Sequence, residues 1–407
     1  MCTEKRDGLR KAAVIMRVTA FLCIFAALLS VANQFIVNRI PKVPGWQLIY
    51  DGKGEDTIDV LFMGNSYAYS AINPYIVNEA LNIQSAMIAM SAGNITVSLN
   101  QLKEIMEFKK PRLVILELNV LVNKYDDLRY KKRGLVYTNL DSMRLGANKI
   151  NMAMQLLNPE HLPEALFPVF RSGYLGKALK KNMEAMTEER KLGYDRLTET
   201  YEPEKPVDQE TLHAWPVVQR QQEDLRSLIR LCKENGVDLW LLNKPRLEPR
   251  DLAVIQRIAA EYDVPVINMN ELPDKVEVGP LQFYDSGHLN ALGANRVTEA
   301  LVARLAGYLH NTADYANVLT MKDETVEPVD NGTYRFTVNT YAPNATYSFE
   351  VYRDTKMIFV QEESSVNSIL VKPTTNGTYK VKYHINFYND GTLISNFSSE
   401  FSIKKKT

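Results

Sequence analysis

The sequence predicts an α/β protein: a parallel sheet covered by helices on both faces, preceded by one membrane-spanning helix and followed by an all-β sandwich. Three observations predict it. Apolar strand-length runs at 58–63, 86–90, 112–118, 237–242 and 264–268 alternate with helical stretches at 74–82, 97–109, 217–235 and 251–262, the pattern of parallel strands joined by helices in three layers. Val18 to Val37 is an apolar stretch of bilayer-crossing length, preceded by Lys5, Arg6, Arg10, Lys11 and Arg17. Beyond His310 the composition turns to Thr, Tyr, Val, Asn and Ser in alternating runs, as half-buried antiparallel strands read.

Taken in order, residues 1–17 form a basic segment and 18–37 the span. The positive-inside rule keeps those charges cytoplasmic, so the chain after Asn38 is expected outside, as a single-pass protein of the cell membrane. A cleaved signal peptide is the rival, with Ser30-Val31-Ala32 as its cleavage site; continued apolar character through Phe35-Ile36-Val37 favours retention. Residues 38–55, with Pro44, Gly45, Gly52 and Gly54, read as a linker. The α/β domain is expected over 56–310. Within it Lys233-Glu234-Asn235-Gly236-Val237 ends a helix on a glycine suited to a left-handed cap, then opens a strand.

The stretch 120–215 breaks the alternation. It is rich in Leu, Met, Lys and Glu at helical spacing and contains Asn123, Tyr125, Arg171, His213 and Trp215. It reads as a helical insertion over the functional edge, where binding residues are disproportionately carried. Residues 316–405 form the sandwich, with strands at 333–340, 346–353, 366–372, 378–389 and 393–403. Hairpin-type turns are expected at Asn331-Gly332, Asn376-Gly377 and Asp390-Gly391. An immunoglobulin or fibronectin III-like module is the expected form. Tyr341, Tyr347, Tyr352 and Tyr388 suit a sugar-stacking face, although strand propensity explains them as well.

Composition narrows the function. The 407 residues carry 48 basic and 48 acidic side chains, so the net positive footprint of nucleic-acid binding is missing. Three cysteines give no disulfide framework. No metal, nucleotide or other cofactor is expected.

The chemistry-bearing segments lie far apart in sequence. Ile58-Asp59-Val60-Leu61-Phe62-Met63 runs into Gly64-Asn65-Ser66, which delivers a hydroxyl at the carboxyl end of a strand, the edge where open α/β sheets bind ligands. Far downstream, Asp285-Ser286-Gly287-His288-Leu289-Asn290 places a carboxylate three residues before an imidazole. A serine becomes nucleophilic when an imidazole takes its proton and a carboxylate fixes the imidazole's tautomer. Ser66, His288 and Asp285 are the predicted catalytic residues. The competing assignments are a helix N-cap for Ser66 and a capped surface histidine for His288. Gly64-x-Ser66-x-Ala68 also comes near an α/β-hydrolase nucleophile elbow, but there the serine follows several strands and the acid and histidine arrive separately.

These residues resemble the SGNH or GDSL-like hydrolases, in particular a membrane-anchored bacterial branch with D-alanyl-lipoteichoic acid biosynthesis proteins and surface-polysaccharide O-acetyltransferases. The resemblance spans about 56–308 and rests on Gly64-Asn65-Ser66, on Ser91-Ala92-Gly93-Asn94, and on Asp285-x-x-His288-Leu289-Asn290-x-x-Gly293-Ala294. It implies a flavodoxin-like three-layer αβα fold. It also implies an oxyanion hole from Ser66, Gly93 and Asn119, the last after the strand Pro111 to Leu118. Asn65, Asn94 and Lys244 are the candidate substrate-binding residues. Asn65 stands where the family usually has aspartate, and the usual Gly-x-Asn-Asp is missing after the third strand. The implied substrate is an acyl ester or cell-surface glycan, with a polytopic membrane acyltransferase as possible partner. Transferase and esterase both fit, and a non-catalytic envelope scaffold or glycan-binding protein is the alternative.

Overall fold

A computed structural model describes residues 2–37, 45–50, 58–121, 133–171, 191–197, 199–201, 217–245, 252–279, 282–285, 287–330, 332–375, 377–389 and 392–405. The chain divides into two compact units, Met1–Lys42 with Asp127–Ala185, and Val43–Asp126 with Met186–Thr407.

In the first unit, helix α1 (Cys2–Val37) contains Ala13–Asn33, 21 residues long and apolar enough to cross a membrane. A signal sequence has the same character. The apolar stretch begins at Ala13 rather than Val18, because a single Arg17 does not outweigh the valines, leucines and phenylalanines around it. This unit also holds helices at Arg133–Ser142, Ala147–Leu156 and Leu162–Leu166. Arg171 is an internal strut here, bound to both oxygens of buried Asp141 at 2.5 and 2.8 Å and lying over the Tyr137 ring. Asn123, Tyr125, His213 and Trp215 lie outside the described residues.

The second unit holds the sheets. Strands β1 (Val60–Asn65), β2 (Ser85–Met90) and β3 (Leu113–Glu117) are followed by a short β4 (Glu199–Tyr201), then β5 (Asp238–Asn243) and β6 (Val266–Asn268). The main sheet has the order β2-β1-β3-β5-β6 with every pair parallel. All residues of β1, β2 and β3 are buried, as a sheet covered on both faces requires. Val60 and Phe62 face a core shared with α3 (Pro74–Leu81) and α7 (Ala291–Leu309). On the other side α4 (Ile95–Phe108) packs on α5 (Gln219–Glu234), which lies on β5 and touches α6 (Leu252–Glu261). The predicted three layers are present.

The C-terminal region forms two antiparallel sheets from β7 (Met321–Asp330), β8 (Thr333–Thr340), β9 (Ala345–Arg353), β10 (Lys356–Ser364), β11 (Ser368–Val371), β12 (Gly377–Asn389) and β13 (Thr392–Lys405). One is β11-β8-β7 and the other β10-β9-β12-β13-β4. Phe336, Val338, Phe349, Val351, Val381 and Phe387 belong to their common core. Two strands were not anticipated. The acidic β7 and the largely exposed β10 have no clean alternation, so periodicity does not mark them. β4 is a further correction: Glu199–Tyr201, inside the stretch read as helical, pairs parallel with β13. Of the turn residues, Gly332 adopts φ +75° between β7 and β8, while Asn331, Asn376, Asp390 and Gly391 lie outside the described residues. Asn295 of α7 donates to the carbonyls of Met321 and Lys322, joining this region to the α/β sheet.

Candidate functional site

The site assembles at the carboxyl ends of β1, β2, β3 and β5. β1 ends at Asn65 and Ser66 opens a short helix, α2 (Ser66–Tyr69). Glycine is required just before this turn, because a Cβ at Gly64 would meet the Ala68 Cβ at 2.5 Å and the Glu117 Cβ at 3.1 Å. Asn65 caps α2, its Oδ1 accepting the Tyr67 N–H at 3.0 Å. The strand-turn-helix therefore fixes the Ser66 backbone and brings its hydroxyl to the sheet edge.

The second segment is folded by its own motif. Tyr284 N–H donates to the His288 carbonyl, and Asn290 N–H to the Gln282 carbonyl, so 282–284 and 288–290 run antiparallel to each other. Leu289 is buried, and Asn290 caps α7 by accepting the Gly293 N–H at 3.1 Å. Gly293 admits the Gln282 carbonyl, which a Cβ would meet at 2.3 Å. Leu289, Asn290 and Gly293 thus have structural tasks that hold His288 in place.

Asp285 Oδ1 accepts the backbone N–H groups of Gly287 and His288 at 2.8 and 2.7 Å. Its Oδ2 lies 2.8 Å from His288 Nδ1, and His288 Nε2 lies 2.9 Å from Ser66 Oγ. A carboxylate only accepts, so Nδ1 carries the proton, Nε2 is the acceptor, and Ser66 donates to it. Burial raises the Asp285 pKa, but the hydrogen bonds from the His288 ring and from the two backbone N–H groups outweigh it and hold the carboxyl well below its usual range. Tyr67 stacks on the imidazole with ring centroids 4.5 Å apart. The structure brings Ser66, His288 and Asp285 together across 222 residues of chain.

The remaining predicted residues are placed differently. Gly93 N–H donates to the Met90 carbonyl at 2.9 Å, in a turn made possible by Ala92 at φ +56°. That bond occupies the donor which the family resemblance assigned to the oxyanion. Asn119 is nearly buried beyond β3. Its Oδ1 accepts from Asn65 Nδ2 at 2.6 Å, which leaves the Asn119 amide hydrogens outside that bond. Asn65 Nδ2 also lies 3.3 Å from the Gly93 carbonyl.

Three substrate-binding assignments are corrected by burial. Asn65 is 1% exposed and bridges the serine turn to Gly93 and Asn119. Asn94 is fully buried and caps α4 through the Val97 N–H. Lys244 is fully buried after β5, its Nζ donating to the Gly287 carbonyl at 2.8 Å and sitting 4.8 Å over the Tyr67 ring.

Several neighbours escaped the sequence reading. Tyr69 OH is 2.6 Å from Ser91 Oγ, and Ser66 bears on the same phenol as a weaker contact. Burial, foremost, keeps the Tyr69 phenol protonated by raising its pKa. Tyr67 and Tyr69 lie one and three residues after Ser66, and that adjacency was the signal available. Glu117 ends β3 two residues before Asn119 and is 1% exposed. Its charge inside an apolar run was the corresponding signal.

No family model matches the chain, and no curated protein matches it. Among solved structures, it is similar to a candidate acylhydrolase from Bacteroides fragilis at 13% identity, covering 67% of this chain and 93% of that one with a TM-score of 0.32. It is also similar to a candidate GDSL-like lipase from Bacteroides ovatus at 10% identity, covering 62% and 99% with a TM-score of 0.28. Domains d3–d4 of the rat CD45 extracellular region match at 16% identity over 20% of this chain and 47% of that one, with a TM-score of 0.16. Scores this low do not establish a shared fold, and the reading of the site rests on its own geometry.

Proposed function

We propose that this chain is an SGNH-like serine esterase or O-acyltransferase, anchored by α1 with its α/β domain outside the cell, acting on O-acyl groups of a cell-surface polysaccharide or wall polymer. The observation that carries the proposal is the hydrogen-bonded series Asp285–His288–Ser66, built from two distant segments at the ligand-binding edge of a parallel sheet. In this reading His288 Nε2 takes the Ser66 proton as Oγ attacks an acyl carbonyl, while Asp285 stabilises the imidazolium that forms. Ser66's own N–H, at the first position of α2, and the Asn119 side chain are the donors for the oxyanion, a role worth about 3–4 kcal/mol per donor. The imidazolium then protonates the leaving alkoxide. Water or a sugar hydroxyl, deprotonated in turn by His288, releases the acyl group from Ser66.

Acetyl transfer to a polysaccharide is the preferred form, with a polytopic membrane acyltransferase as a source of acyl groups. The basic segment before α1 supports the outward orientation, and the C-terminal β region suits an immunoglobulin or fibronectin III-like module. The test is incubation with an activated acetyl ester and a serine-directed phosphonate. Turnover and covalent labelling are expected, both lost in Ser66→Ala; labelling indifferent to that substitution overturns the enzyme reading in favour of a scaffold. A reporter fused after His310 is expected to be active outside the cytoplasm only, and cytoplasmic activity overturns the orientation.

A further inference from the structure

We infer that the buried pair Glu117 and Lys244 positions the proposed machinery, tying the loop that carries the base to the turn that carries the serine and to the strand end that carries Asn119. The inference rests on the esterase or acyltransferase reading of Ser66, His288 and Asp285. Glu117 and Lys244 follow one another at the carboxyl ends of adjacent strands, Glu117 pairing with Leu242 in the β3–β5 register. Both are almost completely inaccessible, at 1% and 0% exposed. Two charges in a core that apolar side chains could fill are a poor stability device, since well-packed hydrophobic replacements are often neutral or better. Their contacts indicate another role.

Lys244 touches both halves of the site. Its Nζ holds the carbonyl of Gly287, the residue just before His288 in the loop, whose N–H in turn holds Asp285. The same ammonium lies over Tyr67, the ring stacked on His288 and the immediate neighbour of Ser66. An ammonium with three donors and a cation–π face is suited to fixing a carbonyl and an aromatic ring at once.

Glu117 extends the connection to β3. Its Oε1 accepts the Asn119 N–H at 3.1 Å, and its Cβ lies where only a glycine at position 64 leaves room. Oε2 has no hydrogen-bond partner among the described residues. Burial raises the Glu117 pKa, while the Lys244 charge and the Asn119 N–H draw it back toward ionisation. Lys244 therefore joins the base loop to the serine turn, Glu117 joins the serine turn to the Asn119 segment, and the Lys244 charge acts on Glu117. Neither residue is exposed to meet a substrate, so both act through others.

The experiment uses the full chain in detergent micelles with Lys244→Met, Glu117→Gln and the double variant, measuring thermal stability, activated-acetyl-ester kinetics and phosphonate labelling. Each single substitution leaves one buried charged or polar group unmatched and is expected to lower Tm; the double variant removes both charges and recovers most of it. In the double variant kcat is still expected to be down about 100-fold with KM within about threefold, because the anchor on Gly287 and Tyr67 is gone. Labelling slows in the same proportion. A folded double variant with wild-type kcat, or a rise in KM alone, overturns the inference. Ser66→Ala separates the two readings: if it loses labelling while the double variant labels normally, only the positioning role fails, and if it labels normally the enzyme reading fails.

Discussion

Asn65→Asp is the most searching single substitution, because it exchanges one amide for a carboxylate of the same shape at a residue that is 1% exposed. The cap on α2 survives, since a carboxylate oxygen accepts the Tyr67 N–H as well as the amide oxygen does. The other end of the side chain reverses its role. Asn65 Nδ2 donates to Asn119 Oδ1 and to the Gly93 carbonyl, and a carboxylate would put an acceptor against both. Two buried acceptors orphaned at about 1–3 kcal/mol each, less a few tenths for the stronger cap, give a loss of roughly 2–5 kcal/mol. The introduced carboxyl, buried against oxygens, has its folded pKa raised above its unfolded value. Its protonated form donates again, so the stability deficit is smallest at low pH and grows as pH rises through that folded value. Urea unfolding at pH 5 and pH 8 measures this, with the larger deficit expected at pH 8. If Asn119 turns its amide to meet the carboxylate, kcat falls by about 10²–10³-fold through loss of an oxyanion donor. Wild-type stability at pH 8 together with wild-type kcat would refute the reasoning.

Asp285→Asn is expected to lower kcat by roughly 10³–10⁴-fold by releasing the His288 tautomer. Because the Asp285 pKa is depressed in the folded chain, its carboxylate is ionised throughout ordinary assay conditions, and its contribution to stability is lost only as pH falls below the usual carboxylate range. The loss in Asp285→Asn should therefore persist at pH 9, as initial rates will show. Tyr69→Phe keeps the ring and removes the hydroxyl bonded to Ser91 and near Ser66; kcat is expected to fall about tenfold, and adding Ser91→Ala to it should cost nothing more. Additive losses in that double-mutant cycle would contradict a shared role.

The parallel sheet was legible because β1, β2 and β3 are buried on both faces and so read as unbroken apolar runs between amphipathic helices. The segments that carry Ser66, His288 and Asp285 were legible because Gly64, Gly293 and Asn290 are forced by backbone approach and capping, and forced residues leave a mark in sequence. What was not legible depends on depth. Asn65, Asn94 and Lys244 are polar residues at the right sheet edge, and a sequence does not tell a polar side chain facing solvent from one facing inward to cap, bridge or pair. Gly93 shows the same limit for the backbone, since whether its N–H is available depends on the φ of Ala92. β4 was missed because a three-residue strand is made by its partner β13 rather than by its own pattern. The acidic strand β7 buries Glu324, whose Oε1 meets Arg196 and Tyr383 from other segments while its Oε2 has no hydrogen-bond partner among the described residues, an arrangement invisible to periodicity.

The central claim is that Ser66 is a nucleophile activated by His288. Peptide mapping of the full chain after treatment with a serine-directed phosphonate tests it most directly. The account predicts one adduct, on the peptide that contains Ser66, formed at a rate that His288→Ala lowers by several orders of magnitude. An adduct on another residue, or labelling of Ser66 at an unchanged rate in His288→Ala, would contradict it.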